Sequence, residues 1–370
     1  MSQTPRPRPP RRAPSSPPSR SDSDSDGTNI PKPYKLITFP KERPKLQRPA
    51  GHHKYYSDRL HGTLFLTLKV QTSLHVSTGV VAMGSDIGSD VPLIKTMTTG
   101  AEQKLLIQGS SLKGCIRSVY EAITRSCICK TKADRNTIPD GYRECKIDRK
   151  RNKVSVCDSC QIFGAMDWQG LLDFNDARCE NSGYDRGFMP SLYAPRTQRP
   201  AYYTKGMVAG RKFYYHTIRA IDKGQNQGIT VQQAAKEYTF TTQLHFRNLQ
   251  PAELGTLLIV LGQDPKYPIA LKVGGGKPIG MGTMTATVTE ISAFADNQQR
   301  ANEFKLPMLK QRYSSYTPTE PDSLTGNNLQ KFIEKTIKSA HSTLIQKSQL
   351  EQLTEVLRYP TDREPPTGMY

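Results

Sequence analysis

The sequence predicts an α+β domain with the element order β-α-β-β-α-β, preceded by a polar arm and interrupted by two long inserts. Three observations carry this. Leu64, Leu66, Leu68 and Val70 alternate with less apolar residues, the period of a half-buried strand. Leu112, Ile116, Val119, Tyr120 and Ile123 recur at three and four, the period of a helix with one buried face. Two further strand patterns, a helix and a last strand then follow between 171 and 288.

Residues 1–58 are poor in apolar residues and contain R-P-R-P-P-R-R (6–12) and then S-D-S-D-S-D (21–26); such a stretch buries too little surface to offset the entropy of ordering. It reads as a disordered basic arm with an acidic spacer, its 30–50 segment suited to lying along a partner. The folded body spans 59–310. Gly62 to Val70 forms the first strand, and a Gly- and Asp-rich loop runs from Ser77 to Thr99. Ser110 is placed to cap the first helix. Leu171, Leu172 and Phe174 mark the second strand, and Tyr238 to Phe246 the third. Pro251 to Leu261 is the second helix, with Pro in its first turn and Leu254, Leu257, Leu258 and Leu261 facing the core. Thr283 to Val288 closes the set, which is the ferredoxin-like (RRM-like) arrangement. The inserts fall at 126–166 and 178–236, and 311–370 adds a helical extension centred on Leu329 to Leu357.

The chain carries 52 Lys and Arg against 33 Asp and Glu, a net charge of +19, which favours a polyanionic partner. No apolar run approaches the ~18–20 residues that span a bilayer, and no apolar leader opens the chain. A cytoplasmic location is therefore expected. Its seven cysteines then read as metal ligands or core thiols rather than disulfides.

The run Gly109 to Arg117, G-S-S-L-K-G-C-I-R, opens the first helix. Free N–H groups and the positive dipole end favour an anion there, with Ser110, Ser111, Lys113 and Arg117 adding hydroxyls and charge. The lysine is not in the spacing of a nucleoside-triphosphate loop, so a nucleic-acid phosphate is the expected guest. Cys127, Cys129, Cys145, Cys157 and Cys160 cluster in the first insert. A C-x-x-C knuckle at 157 and 160, with Cys145 and either Cys127 or Cys129, completes a four-thiolate zinc site; His52 and His53 are remote alternatives. Four thiolates leave no open position, so the ion is structural. Cys115 reads as core, and Cys179 is unassigned. Gly275 and Gly276 leave room for a backbone to approach beside Lys277. Phe188 to His216 interleaves aromatic with basic residues, a pattern suited to stacking on bases.

Three motifs together resemble the RAMP proteins of CRISPR effector complexes: G-S-S-L-K-G-x-x-R-x-x-x-E (109–121), C-D-S-C-Q-I-F-G (157–164) and G-G-G-K-P-I-G-M-G (274–282). The likeness covers roughly 60–290 and is greatest to the Csm/Cmr backbone subunit of type III complexes. That resemblance implies binding of guide crRNA and cleavage of complementary target RNA with Mg²⁺ or Mn²⁺. I-G-S-D-V-P-L-I-K (87–95) resembles the segment with the family's cleavage Asp, which points to Asp90; one residue is missing before the Pro, and Asp86 is the alternative. L-H-V-S-T-G (74–79) resembles the turn whose His lies near guide RNA, here His75. The second insert corresponds to a hairpin thumb, with Met189, Leu192 and Tyr193 as wedge residues and Arg196 and Arg199 as phosphate contacts. The implied partners are other RAMP subunits and a large polymerase-like subunit. A non-catalytic guide-binding subunit is the alternative, and a guide-processing nuclease a third reading that the Cys cluster disfavours.

Overall fold

The computed structural model describes residues 32–100, 102–147, 154–192, 200–221, 227–314 and 323–366. Its frame is an antiparallel sheet around the strand Leu60–Val70. That strand pairs along its length with Thr239–Leu249 on one side and Thr283–Ala295 on the other. Leu172–Phe174 and Ala177–Cys179 pair the far side of Thr239–Leu249, and Leu106–Ile107 forms the edge. Counted by the four predicted strands, the order across the sheet is fourth, first, third, second.

The alternation seen in the sequence has its expected consequence. Leu60, Leu64, Leu66, Leu68 and Val70 are buried, whereas Lys69 faces solvent, because successive strand residues point to opposite faces. Helix Gly109–Ile123 buries Leu112, Ile116, Val119, Tyr120 and Ile123 in the same core. Helix Pro251–Val260 is buried all round rather than on one stripe, as its uniformly apolar sequence L-G-T-L-L-I-V requires. Its outer face is covered by the C-terminal extension. That extension is two helices, Gly326–Thr343 and Lys347–Leu357, rather than one.

Several expectations need correction. The N-terminal arm does not extend to 58: Tyr34–Ile37 pairs with Arg211–Tyr214, and Gln47 and Val156 exchange backbone hydrogen bonds at 3.0 and 2.9 Å. Tyr142 donates to Pro40 O at 2.7 Å, so this segment lies along the chain's own first insert. Buried Tyr34 and Ile37, with Phe39 packed on Tyr142, supply the apolar anchorage that the composition of 1–58 as a whole conceals. Residues 1–31 lie outside the described residues.

The 77–99 segment is not a loop but a hairpin of Ser77–Met83 and Leu93–Met97. Leu93–Met97 also pairs in parallel with Gly228–Gln233, which pairs with Asp185–Pro190, making a second, four-stranded sheet. The 178–236 insert is therefore not a single hairpin, since its middle part turns back to meet Tyr34–Ile37. The last frame strand runs on to Ala295 through a bulge after Val288.

Gly255 lets the extension seat closely. A Cβ at this position would lie 2.0 Å from Thr336 O of the covering helix. Gly255→Ala should therefore lower stability by about 1–3 kcal/mol through overpacking, seen as a lower urea midpoint. An unchanged midpoint would mean that the two helices do not meet there.

Candidate nucleic-acid interface and metal centre

The start of helix Gly109–Ile123 differs from the sequence expectation. Its N-cap is Gln108, and Ser110 lies inside the first turn without capping it. Gly109 is pressed against the neighbouring strand, where a Cβ would lie 2.3 Å from Phe174 O. The Asp176 carboxylate following that strand accepts from Gly109 N at 2.7 Å. A carboxylate thus already takes the first N–H of the helix. Ser110 is exposed and Ser111 and Lys113 are half-buried. Burial and then Arg117 pull the Lys113 ammonium below the usual lysine range.

Arg117 is committed inward. Its Nε donates to Glu121 Oε1 at 2.7 Å and its terminal nitrogen to Cys160 Sγ at 3.2 Å. Arg117 therefore braces the cysteine cluster from the side of the helix, a role its place in G-S-S-L-K-G-C-I-R did not reveal. Glu121, its partner, is buried, and burial raises its carboxyl above the ordinary range.

The cluster itself consists of Cys127, Cys145, Cys157 and Cys160, all buried, with their Sγ atoms within 4.8 Å of one another. Four thiolates about 2.3 Å from a zinc ion form a tetrahedron with edges of about 3.8 Å, and Cys127 Sγ and Cys160 Sγ are 3.6 Å apart. Backbone N–H groups of Cys127 and Cys157 donate to Cys157 Sγ and Cys145 Sγ at 3.4 and 3.3 Å. Bonds from Cys127, Cys145 and Cys160 push the Cys157 thiol well below its ordinary range. This donor set fits a structural metal such as zinc. Cys127, not Cys129, joins the quartet; Cys129 packs beside it, half-buried. His52 and His53 bond elsewhere, to Gln169 O and to Tyr56. Cys179 is buried in a frame strand, and Cys115, at the core's margin, donates to Lys272 O at 3.4 Å.

The Gly-rich loop and the 74–79 turn come together. Gly275 N donates to His75 O at 2.9 Å, and a Cβ on Gly275 would touch both the His75 ring and Met189. His75 is buried, its Nδ1 2.6 Å from Gln232 O and its Nε2 without a partner among the described residues. Burial lowers its pKa, so the ring stays neutral near pH 7. Gly276 is buried against Met281, and Lys277 is half-exposed in a short turn after it. Beneath the loop, Lys272 is buried, donating to Gly280 O and Thr283 Oγ1 at 3.1 and 3.2 Å; burial and then Lys277 bring its pKa down to about 7. Met189 is not a projecting wedge, being buried with Ile279 and Met281, and Leu192 packs on the same cluster. Tyr193, Arg196 and Arg199 lie outside the described residues.

Asp90 stands at the tip of the Ser77–Met83/Leu93–Met97 hairpin, exposed and ion-paired with Arg186. That hydrogen bond holds its carboxyl below the usual carboxylate range. Asp86 is exposed in the adjoining turn Gly84–Ile87. Among the described residues neither belongs to a group of three or more metal-ligand side chains. The roles of Asp176, Arg186 and Lys272 were not foreseen: each depends on a partner distant in sequence.

A family model for the RAMP superfamily matches residues 67–285. That is more than half of the chain, and the chain belongs to this superfamily, which is associated with CRISPR-associated complexes. The match spans the helix start, the cysteine cluster and the whole Gly-rich loop. No curated protein matches the chain. Among the described residues, no helix is long and apolar enough to cross a membrane.

Metal analysis of the purified chain should find a single zinc per molecule, retained in Cys129→Ser and lost in Cys127→Ser and Cys157→Ser. Loss in Cys129→Ser with retention in Cys127→Ser would exchange the fourth ligand.

Proposed function

We propose that the chain is a guide-RNA-binding subunit of a type III CRISPR ribonucleoprotein that cleaves complementary target RNA. The observation that carries this reading lies inside the family match: the Gly-rich loop packs on the His75 turn, and Cys115 of the Gly109–Ile123 helix bonds to the strand leading into that loop. The sheet order fourth–first–third–second supports a ferredoxin-like frame. In this reading Ser110, Ser111 and Lys113 contact guide phosphates, Lys277 adds charge, and the glycines admit the backbone. Arg117 acts indirectly, by bracing the helix against the metal cluster. Other RAMP subunits and a large polymerase-like subunit are the proposed neighbours, in a cytoplasmic particle.

Asp90 is the proposed cleavage residue. Its exposure leaves it accessible to a bound strand, and Arg186 keeps it ionised. A single carboxylate holds Mg²⁺ or Mn²⁺ only with phosphate oxygens and waters completing the shell; the ion supplies neutralisation of charge developing on the phosphate. The chain's part is to present the carboxylate beside the target strand, with the Arg186 contact yielding as RNA arrives.

In the assembled particle, Asp90→Ala should cut target cleavage by about a hundredfold or more while guide and target binding persist; Asp86→Ala should leave cleavage intact. Cleavage unchanged in Asp90→Ala would leave the chain a structural guide-binding subunit.

Lys113→Gln should weaken binding uniformly across RNA sequences and reduce the slope of log affinity against log salt by about 1. An unaltered slope would remove Lys113 from the phosphate contacts.

A further inference from the structure

The aromatic and basic segment after residue 200 is not absorbed by the guide reading, and the structure gives it a distinct setting. Between this segment, the loop following Cys127 and the outer face of helix Gly109–Ile123 lies a cavity of about 330 Å³. That volume falls at the small end of pockets that hold compact organic ligands.

Its lining has a marked chemical bias. Lys130, Lys132, Arg211 and Lys212 border it, and Glu121 is the single acid among the lining residues. Glu121 is bonded to Arg117 at 2.7 Å, so its charge is already matched. The cavity therefore favours an anion. Tyr202 and Tyr203 also line it. The Lys212 ammonium sits over the Tyr34, Tyr214 and Tyr202 rings at 4.1, 4.8 and 5.1 Å and donates to Tyr202 Oη at 3.0 Å. Ring and cation are thus held in place before any ligand arrives.

Arg211, in the cavity wall, is itself anchored. One terminal nitrogen donates to Ser126 O and Cys127 O at 2.6 and 3.0 Å, while its buried Nε has no partner among the described residues.

We infer that this cavity binds a nucleotide, its base against Tyr202 and Tyr203 and its phosphate at Lys130 and Lys132. Flat rings take an aromatic base without regard to sequence. The exposed lysines suit a phosphate. The ligand is either a free nucleotide or one nucleotide of an RNA strand; the recognising chemistry is the same. The inference does not rest on the guide-RNA reading, because the cavity lies on the metal-cluster side of the helix and uses none of the residues assigned to guide contact.

Equilibrium dialysis of the full-length, RNA-stripped protein against radiolabelled AMP and a radiolabelled adenylate trinucleotide tests it. Saturable binding of one ligand per chain, weakened about tenfold or more by Lys132→Glu and by Tyr203→Ala, is the expected result. Because Lys132 is exposed, its replacement leaves the fold intact, and unchanged circular dichroism checks this. AMP binding assigns the site to free nucleotides; trinucleotide binding without AMP binding assigns it to a strand. Absence of saturable binding by both probes overturns the inference, as does displacement by pyrophosphate as effective as by AMP, which would reveal only a generic anion patch.

Discussion

The cysteine quartet is the interaction on which the non-frame parts of the molecule depend. It joins three stretches: the exit of the Gly109–Ile123 helix at Cys127, the insert at Cys145, and the Cys157–Cys160 knuckle. Other contacts radiate from it. Arg117 ties Cys160 to the helix, Arg211 holds the Ser126 and Cys127 carbonyls, and Val156 pairs with Gln47 of the N-terminal segment. A metal held there would add order to these polar stretches. The frame stands apart from this constraint, since its strands and helices share an extensive apolar core.

This division of labour explains where charge is spent. A chain of net charge +19 has cations to spare, yet Arg117 and Arg211 are turned inward to carbonyls and a sulfur. The cations left at the proposed guide surface, Lys113 and Lys277, are only partly exposed, which limits them to close contacts. The Gly-rich loop gains its shape from below: Thr72 and Lys272 both donate to Gly280 O, at 2.8 and 3.1 Å. A polyanion meeting this surface finds a preformed backbone rather than a set of long, mobile side chains.

Much of the frame was legible in the sequence because period and burial coincide there. Leu64 to Val70 alternates, Leu112 to Ile123 repeats at three and four, and both patterns meet one core. The second sheet was missed because its hairpin strand Ser77–Met83 is exposed almost throughout, so no alternation marks it; only its β-branched residues hint at a strand. The N-terminal segment was misjudged because short apolar anchors at Tyr34, Ile37 and Phe39 are diluted by a polar neighbourhood. In the site, the C-x-x-C spacing announced a metal centre. Choosing Cys127 over Cys129 required knowing how the helix ends. Arg117 was misread for a physical reason: an arginine two turns into a helix can reach a phosphate or its own i+4 carboxylate, and only the fold places Glu121 and Cys160 around it.

The central claim is that RNA runs across the surface where the Gly109–Ile123 helix and the Gly-rich loop meet the His75 turn. Photo-crosslinking of bound RNA, followed by mass spectrometry of the crosslinked peptides, tests it most directly. Crosslinks should concentrate in peptides carrying Ser110 to Lys113 and Gly274 to Lys277, and should diminish together as salt is raised. Crosslinks confined to the C-terminal helices, or spread evenly over the basic surface, would contradict it.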